Sequence, residues 1–230
     1  AMDPQQRLFL QLAWEALEDG GHVPESFAGL IGVRAGCGSG SYYKFNVLDP
    51  HELVMDVGML LMRGNEMDYI SSRLAHVLDL KGPAVSVQTA CSTSLVALAE
   101  AVQAIRSGRC DMAIAGGSSI TAPQHSGVLY QEGSILSRDG KCHAFDQNSS
   151  GTVFSEGAGV VVLKRLEDAI RKGDFIWAKI LATGVNMDGG EKVGFSAPSV
   201  DGQADLLREI LNDAINPDRI SYVETHGTGT

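Results

Sequence analysis

Ala84-Val-Ser-Val-Gln88, a short apolar strand, runs through Thr89-Ala-Cys91 directly into an amphipathic stretch that Gly108 closes, and a second apolar strand opens at Met112. Two strands joined through a helix in so short a span pair in parallel, and a parallel pair needs covering on both faces. A chain built around this unit folds as a layered α/β protein, with helices against a largely parallel sheet.

The rest of the chain keeps the same alternation. Residues 4–19 read as a helix with Pro4 at its start and Gly20-Gly21 at its end. Its apolar residues are Leu8, Leu12 and Ala16, with Leu17 on an adjoining flank. A strand is expected over 30–37, running into a glycine-serine loop at 36–40, and a helix up to residue 80 that begins near Met67. The central unit supplies the strand 84–88, the helix 93–107 and the strand 112–115. Then follow a short helix reaching Tyr130, a turn at 137–140, a strand over 160–163 and a helix over 167–172. A strand over 178–185, a polar glycine-rich loop over 186–198, a helix over 203–214 and a strand over 220–224 come last. The order at 84–117 is echoed at 178–225, compatible with two similar halves. The first helix begins at residue 3 with no strand before it, and the last strand runs into a bare Gly-Thr-Gly-Thr turn, so both ends read as cut through a domain.

Composition narrows the function classes. A chain of 230 residues that is 44% hydrophobic and 20% charged has material for a sizeable core. It lacks an uninterrupted apolar run of about 18 residues, which speaks against a membrane span. The formal charge of −10 speaks against a general nucleic-acid surface. The first residues carry no secretory pattern. Four scattered cysteines without a C-x-x-C pair suit reduced thiols in the cytoplasm.

Cys91 is the candidate for chemistry. A thiol where a strand hands over to a helix lies near unpaired backbone N–H groups and the positive end of the helix dipole, which favour a thiolate. A thiolate accepts acyl groups, and the same N–H groups can hold an oxyanion. The alternative is a small hydrophobe buried in the junction. Cys37 and Cys110 read as structural, and Cys142, beside His143 in a turn, as an incidental loop residue. His226 ends an apolar strand and suits an acid, base or hydrogen-bond donor, or else a residue that fixes a loop. Gly227 and Gly229 would let Thr228 and Thr230 present hydroxyls to a ligand. His22, His51, His76 and His125 stand alone and read as surface residues. No spacing matches a structural zinc site, a phosphate-binding loop or a G-x-S-x-G elbow.

Taken in order, these segments resemble the β-ketoacyl synthase (ketosynthase) domain of modular type I polyketide synthases. Asp3-Pro-Gln-Gln-Arg7 is similar to the family's early helix motif, and Thr89-Ala-Cys-Ser-Thr-Ser94 to its nucleophile motif. Ala115-Gly-Gly117, Arg138-Asp-Gly-Lys-Cys-His-Ala-Phe-Asp146, Gly151-Thr-Val-Phe-Ser-Glu-Gly157, Lys192-Val-Gly-Phe-Ser-Ala-Pro-Ser199 and His226-Gly-Thr-Gly-Thr230 continue the series. Any one is weak, whereas all of them in sequence are specific.

The resemblance implies a thiolase-like αβαβα layered sandwich, here truncated at both ends, with residues 1–230 forming a partial ketosynthase domain: the N-terminal half plus the start of the C-terminal half. It implies acyl transfer from a carrier-protein thioester to Cys91, followed by decarboxylative Claisen condensation with a carrier-bound malonyl-type unit. His226 then corresponds to one of the family's two histidines, and Thr228 and Thr230 to positions that hydrogen-bond the pantetheine arm. No tightly bound cofactor and no metal are implied; the substrates arrive on phosphopantetheine. Acyl carrier protein domains are the expected partners, together with a homodimer through the strand from Ala84 to Gln88. The second histidine, the lysine and a later glycine-rich loop fall after residue 230, so the chain alone is expected not to condense. A non-elongating acyl-transfer domain and a fatty-acid-type or chalcone-type condensing enzyme are the alternatives.

Overall fold

One four-stranded sheet organises the computed structural model, which describes residues 2–47, 55–195, 197–211 and 215–230. The strands are β1 (Ile31–Cys37), β2 (Ala84–Ser86), β3 (Met112–Ser119) and β4 (Gly157–Lys164), in the order β2-β1-β3-β4. β1 pairs in parallel with β2 and β3, setting Val33 opposite Ala84 on one side and Ile114 on the other. β4 runs antiparallel to β3. β1 is buried along its whole length, as a strand covered on both faces must be.

Helices cover the two faces unequally. α1 (Pro4–Asp19) and α3 (Ile70–Val77) lie on one face, where Phe9, Ala13, Leu17, Ile70 and Leu74 meet Ile31, Val33, Ala35, Met112 and Ile114. α4 (Thr93–Arg106) covers the other face, setting Ala101, Ala104 and Ile105 against Ala113 and Ala115. The small residues on this side allow α4 to approach the sheet closely. α2 (Met55–Asn65), α5 (Leu166–Lys172) and α6 (Val200–Ile210) complete the helices described.

A buried polar hub at the start of α1 ties the chain together where β1 and β3 end. The Asp3 carboxylate accepts the Gln5 backbone N–H at 2.8 Å and caps the helix. The Gln5 side chain donates to the Gly38 carbonyl at 3.2 Å and accepts the Ile120 N–H at 3.2 Å. The Gln6 side chain donates to the Glu66 carbonyl and accepts from Arg73 Nε at 2.7 Å. These amides are almost fully buried and make good their desolvation through hydrogen bonds. Burial also raises the Asp3 carboxyl above its ordinary range, against the lowering effect of Gln5 and Arg7.

Most of the expected elements are present, β4 over the strand expected at 160–163 and α5 over the helix expected at 167–172 among them, and the others need correction. α1 has the expected bounds, but its buried stripe is Phe9, Ala13 and Leu17, with Leu8, Leu12 and Ala16 half-buried beside it. The two stripes lie one residue apart around the helix, and the sheet takes the one carrying the aromatic ring. The short helix expected before Tyr130 is absent, because His125 (φ 59°) and Gly127 (φ 71°) adopt left-handed conformations that break it. Residues 178–185 and 220–224 have no strand beside them among the described residues and form no ladder. Within the first of them, Gly184 packs against Leu206 and Ile210 of α6. His51 and residues 212–214 of the last expected helix lie outside the described residues.

Phe9 is the largest fully buried side chain between α1 and the sheet. Phe9→Ala is expected to cost about 3–5 kcal/mol in urea unfolding. A loss below about 1 kcal/mol would mean that this ring does not anchor the helix.

Candidate functional site

The predicted nucleophile sits on a strained turn. After β2 the Val87 N–H still reaches the Ala35 carbonyl at 2.8 Å, and then the chain swings away from the sheet through Thr89 and Ala90. Ala90 has φ 54°, a left-handed conformation that costs a non-glycine residue on the order of 1 kcal/mol or more. Neighbouring hydroxyls hold it there. Thr93 Oγ1 accepts the Thr89 N–H at 2.9 Å, and the Ser92 hydroxyl donates to the Thr89 carbonyl at 2.9 Å. Cys91 lies in the 3₁₀ turn Ala90–Ser92 that leads into α4, exposed to solvent at the C-terminal end of the parallel strands. Open α/β sheets present ligand sites at that end.

Gly36 permits this arrangement. A Cβ there would lie 2.0 Å from the Val87 carbonyl oxygen and 2.3 Å from Thr93 Cγ2. No larger residue lets the strand, the turn and the first residue of α4 meet.

His226, Thr228 and Thr230 share a second structure. The turn they form has Gly227 at φ 52° and Gly229 at φ 70°. It lies on the loop 137–151: the Gly151 N–H donates to the Gly229 carbonyl at 3.0 Å, the Ser149 hydroxyl donates to the same oxygen, and Cys142 Sγ lies 3.2 Å from the Thr228 carbonyl oxygen. The Thr228 and Thr230 hydroxyls are 2.8 Å apart. With Phe145, Asp146, Gln147 and Ser149 they line a recess of about 530 Å³. The loop is braced from within, since Asp139 accepts from Ser137 at 2.7 Å and bonds His143 Nε2 at 2.8 Å. These hydrogen bonds, His143 first, hold the Asp139 carboxyl well below the ordinary carboxylate range.

The structure thus groups His226 with the two threonines and leaves Cys91 on its own turn. Among the described residues no hydrogen bond or ion pair joins Cys91 to His226. A larger groove of about 800 Å³ runs between β4 and residues 174–180, and none of the four predicted site residues lines it. Among the described residues no group of three His, Cys, Asp or Glu side chains could hold a metal ion, and no helix is long and apolar enough to cross a membrane.

Two residues that the sequence alone leaves without a role have partners in the structure. Cys142 is no incidental loop residue, because it touches the turn that follows His226. His22 is not a free surface residue: its ring packs edge-on to Phe27 and lies 3.8 Å from Asp174. Burial, and then the charge of Lys164, lowers its pKa. The motif around Cys142 is visible in the sequence, but nothing in its spacing shows that it meets a segment more than eighty residues away.

The cysteines divide by exposure. Cys37 and Cys110 are buried, and burial, aided by the Asp3 charge, pushes the Cys37 thiol up to about 12. Cys91 and Cys142 are exposed. Iodoacetamide at about pH 8 should therefore label Cys91 and Cys142 in the folded chain and spare Cys37 and Cys110, as read by peptide mass spectrometry. Labelling of all four at similar rates would contradict this packing.

Known proteins are similar to this chain along nearly its whole length. Residues 1–169 match the family described as "Beta-ketoacyl synthase, N-terminal domain", and residues 177–230 match "Beta-ketoacyl synthase, C-terminal domain". One polypeptide of the phenolphthiocerol/phthiocerol polyketide synthase of Mycobacterium tuberculosis is 44% identical over 238 residues, an overlap of 100% of this chain and 16% of that protein. Another polypeptide of the same synthase is 43% identical over 232 residues, covering 100% of this chain and 12% of that one. Among solved structures, ketosynthase twelve of the bacillaene polyketide synthase from Bacillus amyloliquefaciens superposes with a TM-score of 0.92 at 39% identity, over 100% of this chain and 40% of its own. The ketosynthase from module 6 of the bacillaene synthase of Bacillus subtilis 168 gives 0.85 at 40% identity, over 100% and 38%. The chain therefore spans a minor part of each of these relatives. With a thiolase-like fold and family matches along nearly its whole length, it belongs to the β-ketoacyl synthase family.

Proposed function

We propose that this chain carries the acyl-accepting part of a polyketide synthase ketosynthase, as a partial domain made of the N-terminal half and the start of the C-terminal half. The observation that carries the reading is the exposed Cys91 on the left-handed Ala90 turn ahead of α4. The substrate is an acyl group in thioester linkage to the phosphopantetheine arm of an acyl carrier protein domain. Cys91 attacks the thioester carbonyl as a thiolate; a carbon–sulfur bond to the enzyme forms and the carrier thiol leaves. The backbone N–H of Cys91 is one donor to the oxyanion.

Condensation then needs a carbanion. A carrier-bound malonyl-type unit loses carbon dioxide, its electron pair passes into the thioester enolate, and the resulting carbon attacks the Cys91 acyl carbonyl and expels the thiolate. His226 donates a hydrogen bond to the enolate oxygen, while Thr228 and Thr230, side by side in their recess, hold the pantetheine arm. Sulfur suits both steps, because cysteine is a soft nucleophile and a good leaving group. Such a protein works in the cytoplasm, where its thiol stays reduced.

Two further points belong to this reading. The 230-residue chain by itself is expected to accept an acyl group at Cys91 without condensing it. A homodimer through the strand from Ala84 to Gln88 is supported by the pairing of β2, which among the described residues uses only its edge toward β1 and leaves Val85 half exposed. Val85→Lys should then reduce the mass seen by light scattering to that of one chain. An unchanged dimer would place the interface elsewhere.

Acylation tests the main reading. Incubated with an acyl N-acetylcysteamine thioester, the chain should gain one acyl mass on Cys91. Cys91→Ala should abolish the adduct, and His226→Ala should leave its rate within about twofold. An adduct that survives Cys91→Ala would sink the assignment.

A further inference from the structure

Three consecutive carbonyls of the terminal turn, those of Gly227, Thr228 and Gly229, face donors from a single loop. Cys142 Sγ lies 3.2 Å from the Thr228 oxygen and 3.5 Å from the Gly227 oxygen, so one thiol proton serves both. The Ser149 hydroxyl and the Gly151 N–H, the latter at 3.0 Å, both donate to the Gly229 oxygen. Fit is close on this side of the turn: a Cβ on Gly229 would lie 3.1 Å from the Gly151 carbonyl oxygen and from Ser149 Oγ, and 3.3 Å from His143 N. The turn has no other hydrogen bond to the body of the protein among the described residues.

We propose that Cys142, with Ser149, is a positioning residue: by holding these carbonyls to the loop it fixes the conformation of the turn and so the setting of His226, Thr228 and Thr230. Its role is hydrogen-bond donation, distinct from the acyl-accepting role of Cys91. The geometry explains why the carbonyls all point one way. Turned toward the loop, they leave the Thr228 and Thr230 hydroxyls to face each other beside the recess. The left-handed φ values at Gly227 and Gly229 are the backbone conformation that this alignment requires. The inference rests on the reading of His226 as the residue that acts on the extender thioester only for its consequence in catalysis; the contacts stand by themselves.

The test uses the 230-residue chain in three forms: unaltered, Cys142→Ala and Cys142→Ser, with Ser149→Ala as a fourth that removes the other side-chain donor. Two NMR readouts report on the turn. The exchange rate of the Gly151 amide should rise roughly fivefold in Cys142→Ala and in Ser149→Ala, because each loosens the contact that protects it. The imidazole resonances of His226 should shift in Cys142→Ala. Cys142→Ser, which keeps a donor, should return both to the values of the unaltered chain. Unchanged Gly151 exchange and an unchanged His226 signal in Cys142→Ala would overturn the proposal, as would failure of the serine variant to rescue them. Cys91 acylation, run in parallel, reports on the ketosynthase reading separately. Its absence from the unaltered chain would sink that reading while the two NMR readouts still decide the role of Cys142.

Discussion

The close approach of α4 to β1 governs the geometry around Cys91. Gly36 has no side chain, and the space it leaves is filled by the Val87 carbonyl and the Thr93 methyl group. With that contact made, the chain leaving β2 has only a few residues in which to clear the sheet and begin a helix. Ala90 absorbs the demand by taking a left-handed φ, and the hydroxyls of Ser92 and Thr93 fasten the result. Strain at one alanine is thus a consequence of dense packing beneath it. It lifts the thiol to the surface while the residues on both sides of it stay anchored.

A second kind of support holds the ends of the strands. The Gln5 amide bridges the segments after β1 and β3, and Gln6 reaches the Glu66 carbonyl before α3. Buried amides in such positions do little for net stability, since their hydrogen bonds replace ones to water. They do fix where loops leave the sheet, and loops at this end carry the turn that bears Cys91. The polar start of α1 therefore acts on the site through the scaffold, which accounts for polar residues in the middle of an otherwise apolar core.

Different parts of this structure are legible in the sequence to different degrees, for identifiable reasons. α1, α4 and β1 can be read with nearly correct bounds because Pro4, Gly20 and Gly108 mark helix ends and an apolar run marks the strand, whereas the buried face of α1 lies one residue from the stripe that its leucines suggest. Cys91 stands out because a strand-to-helix junction is a local pattern. The strands expected at 178–185 and 220–224 fail for a non-local reason: apolar, β-branched sequence makes a segment ready to pair, but a ladder needs a neighbour. In the first of these segments Gly184 packs against α6 instead. Cys142 is misread for a related reason, since its partners are the carbonyls of Gly227 and Thr228 and no pattern near it announces them.

The two turns also differ in when they can form. The Cys91 turn is closed by hydrogen bonds between residues three and four apart, Ser92 to Thr89 and Thr89 to Thr93. The histidine turn is closed by contacts between residues 78 to 86 apart. Closing a long loop costs more chain entropy than closing a short one, and that cost comes before its contacts give anything back. In a chain emerging from the ribosome, the thiol elbow can form while the histidine segment is still being synthesised. The proposed nucleophile is thus assembled before the histidine proposed to act on its acyl cargo.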